Sequence, residues 1–439
     1  MAALTPQQRR GVFTVWLIIF IDLLGFGIVL PSLAYFVAVF EVPAWADAPA
    51  RALGLQTRGG VLVGLILTSY SLCQFVFAPI WGRLSDRVGR RPILAMSTAG
   101  FALTWVLFAF APNFTVLLLS RALAGVCAAN LSTAQAYMAD TFPAERRAKG
   151  MGLIGMAFGL GFVFGPAIGG LLVSEPFLGV LGFSPGADLR SFQRAQLAVP
   201  SLFAACLSLL AFTLTLTVMR ESLSAEQRAS LPPREGKLGA LVRSLKRPGI
   251  GPMLLVYFVV TLGFANLEAM FSQFNVDHLR IEASANAWVF VAVGLTLAFV
   301  QGGLIGRLTR ALGSRVVLAT GLAGLMVMML LFGFQVELNP GLNAMVWLVL
   351  LAIGIGLFNA LCNPSVLAII SSHTRADEQG GMMGVAASAA TLGRIIGPVT
   401  AGAVYDAAGP QWPFAVGGIL IAAGLLLLLA RWRNVGPPL

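Results

Sequence analysis

Apolar runs long enough to cross a lipid bilayer recur along the whole chain, and they leave few folds open to it. A helix needs about 20 mostly apolar residues to cross the hydrocarbon core of a membrane. Only 11% of the 439 residues are charged, whereas soluble domains carry about a quarter. The sequence therefore predicts an all-α integral membrane protein with twelve spans, at residues 12–37, 60–81, 92–111, 115–138, 150–173, 197–219, 250–273, 286–305, 316–334, 344–367, 381–404 and 413–430.

The basic residues predict how the chain crosses the membrane. The two termini and the loops from even-numbered to odd-numbered spans hold far more of the 29 lysines and arginines than the opposite loops do. Because cytoplasmic loops carry the excess of these residues, we expect both termini to lie in the cytoplasm. The net charge of +11 is spread over short clusters between apolar runs, which argues against nucleic acid as a partner. All four cysteines fall inside apolar runs, so we expect no disulfide framework, metal site or cofactor.

A charged turn between two apolar runs occurs twice in the chain. Residues 82–94 read GRLSDRVGRRPIL and residues 306–318 read GRLTRALGSRVVL, with two glycines, two leucines and two arginines in register. The first copy has the carboxylate Asp86 at the position where the second copy has Arg310. A turn that returns half a chain later predicts two similar halves.

We divide the chain into two pseudo-symmetric six-helix bundles, at residues 1–219 and 250–439, joined by a cytoplasmic linker at residues 220–249. The second part of this linker, residues 237–247, alternates apolar and basic residues at helical spacing. This pattern fits either a helix that lies on the anionic inner leaflet or a solvated tether.

A frame of small residues in the fifth predicted span also recurs in the eleventh. Glycines three or four residues apart form a smooth helix face on which another backbone can approach closely, and proline bends a helix. We therefore expect the fifth and eleventh spans to pack closely across a moving interface. The frame consists of Gly152, Gly161, Gly165, Pro166, Gly169 and Gly170, and its second copy of Gly384, Gly393, Gly397, Pro398, Ala401 and Gly402.

Four ionisable residues fall inside the predicted spans, namely Asp22, Arg121, Glu268 and Arg394. A charge in the hydrocarbon core is costly and usually has a functional role. Asp22 lies about ten residues into its span, about 15 Å deep at 1.5 Å per residue, where a carboxylate can take up a proton near neutral pH. We predict that Asp22 and Arg121 form a proton-coupling pair, which takes up and releases a proton inside the membrane, and the alternative is a static ion pair that fixes helix packing.

The second half has its own intramembrane charges. Glu268 is a second protonation site, an anchor for a cationic substrate or a carboxylate that reaches the outer interface, and the sequence leaves these open. Arg394 is a candidate to hold an anionic substrate group or to cap the cavity of the second half. Amides inside the spans either line a substrate cavity or bond neighbouring helices; they are Gln74, Asn130, Gln135, Asn266, Gln301, Asn359 and Asn363.

These motifs resemble those of the major facilitator superfamily, in its twelve-helix drug/proton antiporter branch. The turn at residues 82–92 resembles the motif between helices two and three of that family, and Arg121 with Gly125 resembles its helix-four motif. Residues 152–170 resemble the antiporter motif of helix five, while residues 22–33 and 354–371 look most like the tetracycline-efflux relatives.

This resemblance implies two bundles around a central cavity that opens alternately to each side of the membrane. It implies proton-driven export of small amphiphilic compounds or drugs of the tetracycline kind, with protons, a small-molecule substrate and the lipid bilayer as partners. It also implies a monomer in the inner membrane of a bacterium.

The charged turn has a separate expected role as a conformational switch, formed by Gly82, Asp86, Arg87, Gly89 and Arg90. Asp86 can accept hydrogen bonds from the positive N-terminal end of the eleventh helix, near Gly381. We expect that contact to lock an outward-facing state and Arg90 to compete for Asp86.

Two other classes of function stay open. The same fold supports uniport or symport of a sugar, a lipid or an organic anion, and a membrane receptor that has lost transport is a further alternative. An enzyme is not expected, because the two histidines, His278 and His373, lie in predicted loops and no Ser/His/Asp or metal cluster occurs. The absence of a GxxxxGK loop argues against an ATP-driven pump.

Overall fold

The computed structural model of the chain describes residues 5–52, 59–143, 146–223, 226, 237–339, 341–375 and 378–432, and every regular element among them is a helix. Twelve of these helices are long and apolar enough to cross a membrane, which confirms the predicted all-α fold. They are span 1 (Pro6–Val37), span 2 (Gly60–Val88), span 3 (Arg90–Ala109), span 4 (Phe114–Thr141), span 5 (Gly150–Leu172), span 6 (Leu189–Thr217), span 7 (Ile250–Leu279), span 8 (Ala283–Leu312), span 9 (Ser314–Gly333), span 10 (Ala344–Ser372), span 11 (Gly381–Ala408) and span 12 (Trp412–Ala430).

We call the ends at which odd-numbered spans begin and even-numbered spans end the proximal ends, and the opposite ends of the spans the distal ends. The helices of spans 5 and 11 begin slightly before the apolar part, at Arg147 and Gln379. Among the described residues, three shorter helices lie outside the spans, at Ala44–Ala52, Glu175–Val180 and Lys237–Leu245.

Three spans depart locally from the α-helix, which frees backbone groups and is common at functional sites. In span 1 the break contains Pro31, which has no N–H for the helix ladder, and Asn286 Nδ2 donates to the Pro31 carbonyl oxygen at 2.6 Å. The segments are Pro6–Val29, a 3-10 turn at Leu30–Ser32 and Leu33–Val37 in span 1; Phe114–Ala128 and Leu131–Thr141 in span 4; and Ala283–Phe299, a π turn at Val300–Leu304 and Ile305–Leu312 in span 8.

The chain forms two compact units. The first comprises Met1–Glu41, Ser69–Arg234 and Ala283–Ala287, and the second comprises Val42–Thr68, Glu235–Glu282 and Trp288–Leu439. The start of span 2 thus groups with the second unit and the start of span 8 with the first. The division into two bundles at residues 219 and 250 stays a prediction, and parts of the linker, at residues 224–225 and 227–236, lie outside the described residues.

In the first unit, span 1 packs against span 5 at backbone distance. A Cβ atom on Gly165 would lie 2.7 Å from the Cα atom of Gly27 and 2.9 Å from the carbonyl oxygen of Leu24. A side chain at this position would therefore force the two backbones apart. The glycines of the fifth-span frame therefore let the two helices meet without intervening side chains.

The second copy of the frame has the same role in the second unit. A Cβ atom on Gly393, the counterpart of Gly161, would lie 2.8 Å from the backbone nitrogen of Leu262 in span 7. In contrast, a Cβ on Gly152 or Gly384, at the start of each copy, would have no neighbour within 4 Å. The central glycines of both copies thus pack a helix pair within one unit.

The described part of the linker contains the helix Lys237–Leu245, which packs against spans 7 and 11. Leu241 is buried in this contact, whereas Val242 is 53% exposed on another face. Arg247 Nη1 donates to Glu378 Oε2 at 2.5 Å, and this hydrogen bond lowers the pKa of the Glu378 carboxyl group. The linker helix is therefore attached to the second unit, and its position on a lipid surface stays a prediction.

The close contact of spans 1 and 5 predicts a position-specific effect of added methyl groups. Gly165→Ala should lower the free energy of unfolding by about 1–3 kcal/mol, because backbone atoms of span 1 cannot yield cheaply to the new Cβ. Gly159→Ala on the same helix is the matched control, since its Cβ would have no neighbour within 4 Å. Thermal unfolding of the purified variants measures both; equal melting temperatures would show that the contact is looser than described.

Candidate functional site

Asp22 lies near the middle of span 1 and is half-buried. Its Oδ2 atom accepts a hydrogen bond of 3.1 Å from Nδ2 of Asn130. Asn130 stands in the break between the two helices of span 4, where its side chain is turned to span 1 and does not cap the following helix. The break in span 4 thus places a neutral amide against the carboxylate of span 1.

Arg121 is buried elsewhere in the first unit. Its guanidinium carbon lies 4.2 Å from the ring centroids of both Trp105 and Phe108 in span 3. Such contacts stabilise a cation through the negative faces of the rings. Its Nε and Nη2 atoms are buried and have no hydrogen-bond partner among the described residues, and the hydroxyl of Tyr70 is close enough to interact electrostatically.

The predicted ion pair between Asp22 and Arg121 is not formed in the part of the chain that the structure describes. Arg121 and Asn130 are nine residues apart on span 4, which corresponds to about 13 Å along a helix axis. Because Asn130 is the residue that reaches Asp22, Arg121 lies too far along span 4 to do so. The two charges therefore have separate surroundings, an amide for one and aromatic rings for the other.

Glu268 and Arg394 come together in the second unit. Glu268 on span 7 is half-buried, Arg394 on span 11 is exposed, and the two are close enough to interact electrostatically. Arg394 also interacts with Tyr257, which belongs to the same span 7. The charged residues of spans 7 and 11, which the sequence singled out separately, thus form one group.

The charged turn forms a compact network at the proximal end of span 2. Arg90 is 2% exposed, and its Nη1 atom donates to Asp86 Oδ1 at 2.5 Å and to Ser85 Oγ at 2.7 Å. Its Nε atom donates to Asp140 Oδ2 at the end of span 4, at 3.1 Å. One guanidinium thus holds two carboxylates from different spans.

A further carboxylate fixes the start of span 3. The Glu221 carboxylate accepts hydrogen bonds from the backbone N–H groups of Arg90, at 2.8 Å, and Arg91, at 3.1 Å. A negative charge at a helix N-terminus satisfies free N–H groups and is favoured by the helix dipole. Sequence reasoning missed Asp140 and Glu221; the available signal was an acidic residue directly at the proximal ends of spans 4 and 6.

The two copies of the turn share a structural role that explains their common residues. Gly89 and its counterpart Gly313 have positive φ angles, +117° and +79°, which strongly favour glycine. Arg91 donates to the carbonyl oxygens of Thr215 and Leu216 at the end of span 6. Its counterpart Arg315 donates to the carbonyl oxygen of Trp432, after span 12, at 2.7 Å.

The two copies differ at the predicted switch position. Arg310, which replaces Asp86, donates from Nε to the carbonyl oxygen of Gly306 in its own helix, at 3.0 Å. Of the other predicted switch residues, Gly82 is buried and Arg87 is exposed. The acidic network is therefore a property of the first copy, whereas the turn geometry is common to both.

The intramembrane amides have different surroundings. Gln74 Nε2 donates to the carbonyl oxygen of Ala128, at 3.1 Å, and so links spans 2 and 4. Asn266 donates to Leu262 within span 7, at 2.8 Å, and Asn359 is buried with no partner for Oδ1 among the described residues. Gln135 is exposed and Asn363 is half-buried. Helix contacts thus account for Gln74, and the others stay candidates for contact with a substrate.

Comparison with known proteins gives these residues a family context. The model of the Major Facilitator Superfamily matches residues 15–250 and 253–439. The tetracycline resistance protein of class E from Escherichia coli is 30% identical over 92% of this chain and 90% of its own length. Major facilitator superfamily domain-containing protein 10 of Bos taurus is 31% identical over 98% of this chain and 94% of its own.

Solved structures agree with this assignment. The human organic anion transporter MFSD10 superimposes with a TM-score of 0.65 at 26% identity, over 97% of this chain and 100% of that structure. A bacterial homologue of the human lysosomal transporter Spinster has a TM-score of 0.70 at 13% identity, over 98% of both chains, which supports the fold alone. The chain belongs to the major facilitator superfamily and is a multi-pass membrane transporter.

Proposed function

We propose that this transporter exports small amphiphilic compounds, of the tetracycline kind, in exchange for protons by alternating access. The proposal includes a bacterial inner membrane and cytoplasmic termini, which place the proximal ends of the spans at the cytoplasmic face. The observation that carries it is the surroundings of Asp22. Similarity to the tetracycline resistance protein of class E supports the choice of substrate class.

Asp22 lies about midway along span 1, which covers Pro6–Val37. An ionised group at that depth is costly unless a charge of opposite sign or several hydrogen bonds compensate it. Its partner Asn130 is neutral and supplies one hydrogen bond. A proton is therefore the available counter-charge for this carboxylate.

Protonation of Asp22 would also change the contact between spans 1 and 4. A hydrogen bond to a carboxylate is about twice as strong as one to a neutral group. The bond from Asn130 would therefore weaken when Asp22 takes up a proton. Because Asn130 stands at the break of span 4, proton uptake would loosen span 1 from the least regular part of span 4.

Removing the charge of Asp22 should uncouple transport from the proton gradient. In proteoliposomes with an imposed pH gradient, Asp22→Asn should lower tetracycline accumulation at least about tenfold. Exchange of labelled for unlabelled tetracycline at equal pH should stay within a few-fold of the unsubstituted protein, because that exchange needs no proton release.

The matched control is Asp188→Asn, because Asp188 is an exposed carboxylate that caps its own helix at the start of span 6. It should leave accumulation unchanged. Equal accumulation by Asp22→Asn and the unsubstituted protein would exclude Asp22 as the coupling group. If the unsubstituted protein accumulates tetracycline equally with and without the pH gradient, transport is not coupled to protons.

We also propose that the charged turn controls the conformational cycle. Arg90 contacts both Asp86 and Asp140, so it keeps one carboxylate when it releases the other. This supports an exchange in which Asp86 leaves Arg90 and accepts hydrogen bonds from the start of span 11 near Gly381. Because Asp140 holds Arg90 in place, the reverse step can recover the same geometry.

Asp86→Asn should therefore slow turnover without weakening substrate binding. We expect about a tenfold lower turnover, the loss typical of a broken hydrogen bond to a charged group, and tetracycline affinity within a few-fold. Asp47→Asn is the matched control, since Asp47 pairs with Arg51 at the same spacing outside the spans. Transport rates and equilibrium binding measure the two effects, and lost affinity with unchanged turnover would overturn the switch role.

Arg121 favours a second candidate function, the transport of organic anions. Its Nε and Nη2 atoms are buried donors without a partner among the described residues, and a carboxylate of a substrate could satisfy both. One solved structure of similar fold, at 26% identity, is a human organic anion transporter. These observations make an anionic substrate the alternative to test directly.

The anion hypothesis predicts a graded effect at Arg121. Uptake of p-aminohippurate, a small aromatic carboxylate, should fall about tenfold or more in Arg121→Gln and by less in Arg121→Lys, which keeps the charge but loses the planar fork. Arg310→Gln is the matched control, because Arg310 is an exposed arginine that donates to Gly306 within its own helix. If p-aminohippurate is not transported, or Arg121→Gln affects it no more than Arg310→Gln does, Arg121 is not an anion site.

A further inference from the structure

We infer that Asp406 is a positioning residue of the transport cycle, which holds the start of span 2 against the end of span 11 while the transporter is closed at the distal ends of its spans. This inference rests on the proposed alternating access but not on the proposed substrate or on proton coupling. Asp406 lies near the distal end of span 11 and is 6% exposed. Asp406 belongs neither to the charged turn nor to the glycine frame, which ends at Gly402.

The Asp406 carboxylate caps the first turn of span 2. Its Oδ1 atom accepts from the backbone N–H of Gly60 at 3.1 Å, and its Oδ2 atom accepts from that of Val61 at 3.2 Å. The first N–H groups of a helix have no partner within the helix. A carboxylate at that end also interacts favourably with the helix dipole. Asp406 therefore satisfies two free donors with both of its oxygens.

Below this cap, spans 2 and 11 meet at backbone distance. A Cβ atom on Gly402 would lie 2.2 Å from the carbonyl oxygen of Gly60, and one on Gly64 would lie 2.3 Å from that of Pro398. One helical turn further, Thr68 Oγ1 donates to the carbonyl oxygen of Ile395 at 2.8 Å. The two helices touch mainly through smooth backbone surfaces, so they can separate without unlocking interleaved side chains.

Asp406 is held firmly on its own side of the contact. The hydroxyl of the adjacent Tyr405 donates to Asp277 Oδ2 of span 7 at 2.6 Å. Gln273 Nε2 in turn donates to both oxygens of Asp277, at 3.1 and 3.0 Å. The end of span 11 is thus fixed to span 7, and the bond from Asp406 to span 2 joins a fixed element to a separate helix.

The position of this contact along span 2 makes it the part that a conformational change must break or bend. Residues up to Thr68 group with the second compact unit, whereas Ser69 onward belongs to the first. A movement of one unit against the other therefore either opens the cap at Asp406 or bends span 2 near residue 68. Because the contact is made mainly by backbone atoms and the cap consists of two hydrogen bonds, we expect the contact to open and span 2 to stay straight.

Comparison of the two copies of the glycine frame shows that glycine packing occurs without a charged cap. In the first copy, Gly170 lies against Ala287 at the start of span 8, as Gly402 lies against Gly60 at the start of span 2. The position equivalent to Asp406 is Ser174, just after the end of span 5, whose hydroxyl donates to the carbonyl oxygen of Leu171 in that span, at 2.7 Å. Glycine packing thus occurs at both positions, whereas the charged cap occurs at Asp406 and not at Ser174.

Cysteine reactivity can test whether Asp406 keeps the contact closed. Val61→Cys places a thiol at the contact, in a chain whose Cys73, Cys127, Cys206 and Cys362 are replaced by serine or alanine. Adding Asp406→Asn, which loses the charge and one acceptor, should raise the rate of maleimide labelling of the purified protein by about tenfold. Asp406→Glu, which keeps the charge, should give a rate closer to that of the chain with Asp406 intact.

The matched control is Asp188→Asn, which removes a carboxylate cap of the same kind at the distal start of span 6. Asp188 accepts from Arg190 within its own helix, at 3.0 Å, so its loss should leave labelling within about twofold. Equal labelling rates with and without the Asp406→Asn substitution, at equal melting temperature, would overturn the inference. So would the same increase with Asp188→Asn, because the effect would then not depend on the link between spans.

Hydrogen exchange on the unsubstituted protein keeps the test decisive if the variants do not fold. The amides of Gly60 and Val61 are donors to Asp406, so the closed contact should slow their exchange at least about tenfold relative to free amides. Exchange at the free rate would show that the contact is not formed and would overturn the inference. Neither measurement needs a substrate or a pH gradient, so failure here is distinct from failure of proton-coupled drug export.

Discussion

The cost of placing a charge in hydrocarbon governs the interior of this transporter. Each intramembrane charge needs compensation, and the structure supplies it in three different ways. Asp22 has one amide, Arg121 has two aromatic rings, and Glu268 has a nearby arginine. Asp22 has the least compensation of the three, so the uptake of a proton lowers the cost of burying this group the most. For this reason the proposed mechanism assigns proton coupling to Asp22.

A second constraint is that helices carrying such groups must be held in fixed register. Without a hydrophobic effect between helices in lipid, close backbone packing is the main attraction available. The glycine frame provides it twice, between spans 1 and 5 through Gly165 and between spans 7 and 11 through Gly393. These are also the pairs that include Asp22 and both charges of the second unit. The frame therefore fixes the helices whose charges are expected to act in transport.

Much of this arrangement follows from the sequence because it depends on periodic or repeated patterns. Apolar length predicted all twelve spans, and the repeated turn indicated equivalent geometry at Gly89 and Gly313, which both adopt positive φ angles. The predicted pairing of Asp22 with Arg121 is not formed, because Asn130, the residue that reaches Asp22, lies about 13 Å further along span 4 than Arg121. Asn130, which is the partner of Asp22, lies in a helix break that contains neither proline nor glycine, so the sequence does not predict this break. Carboxylates that cap helices of other spans, such as Glu221 and Asp406, are a further class that sequence patterns miss, because their location depends on the packing of whole helices.

These two caps use one interaction for opposite purposes. Glu221 joins the end of span 6 to the start of span 3, and both lie within the first compact unit, so that contact can persist throughout a cycle. Asp406 holds the first turn of span 2, whose remainder from Ser69 belongs to the other unit. A helix cap of moderate strength suits both positions. The cap at Glu221 adds rigidity, because the elements that it joins belong to the same unit. The cap at Asp406 is weak enough to break during the cycle and specific enough to form again.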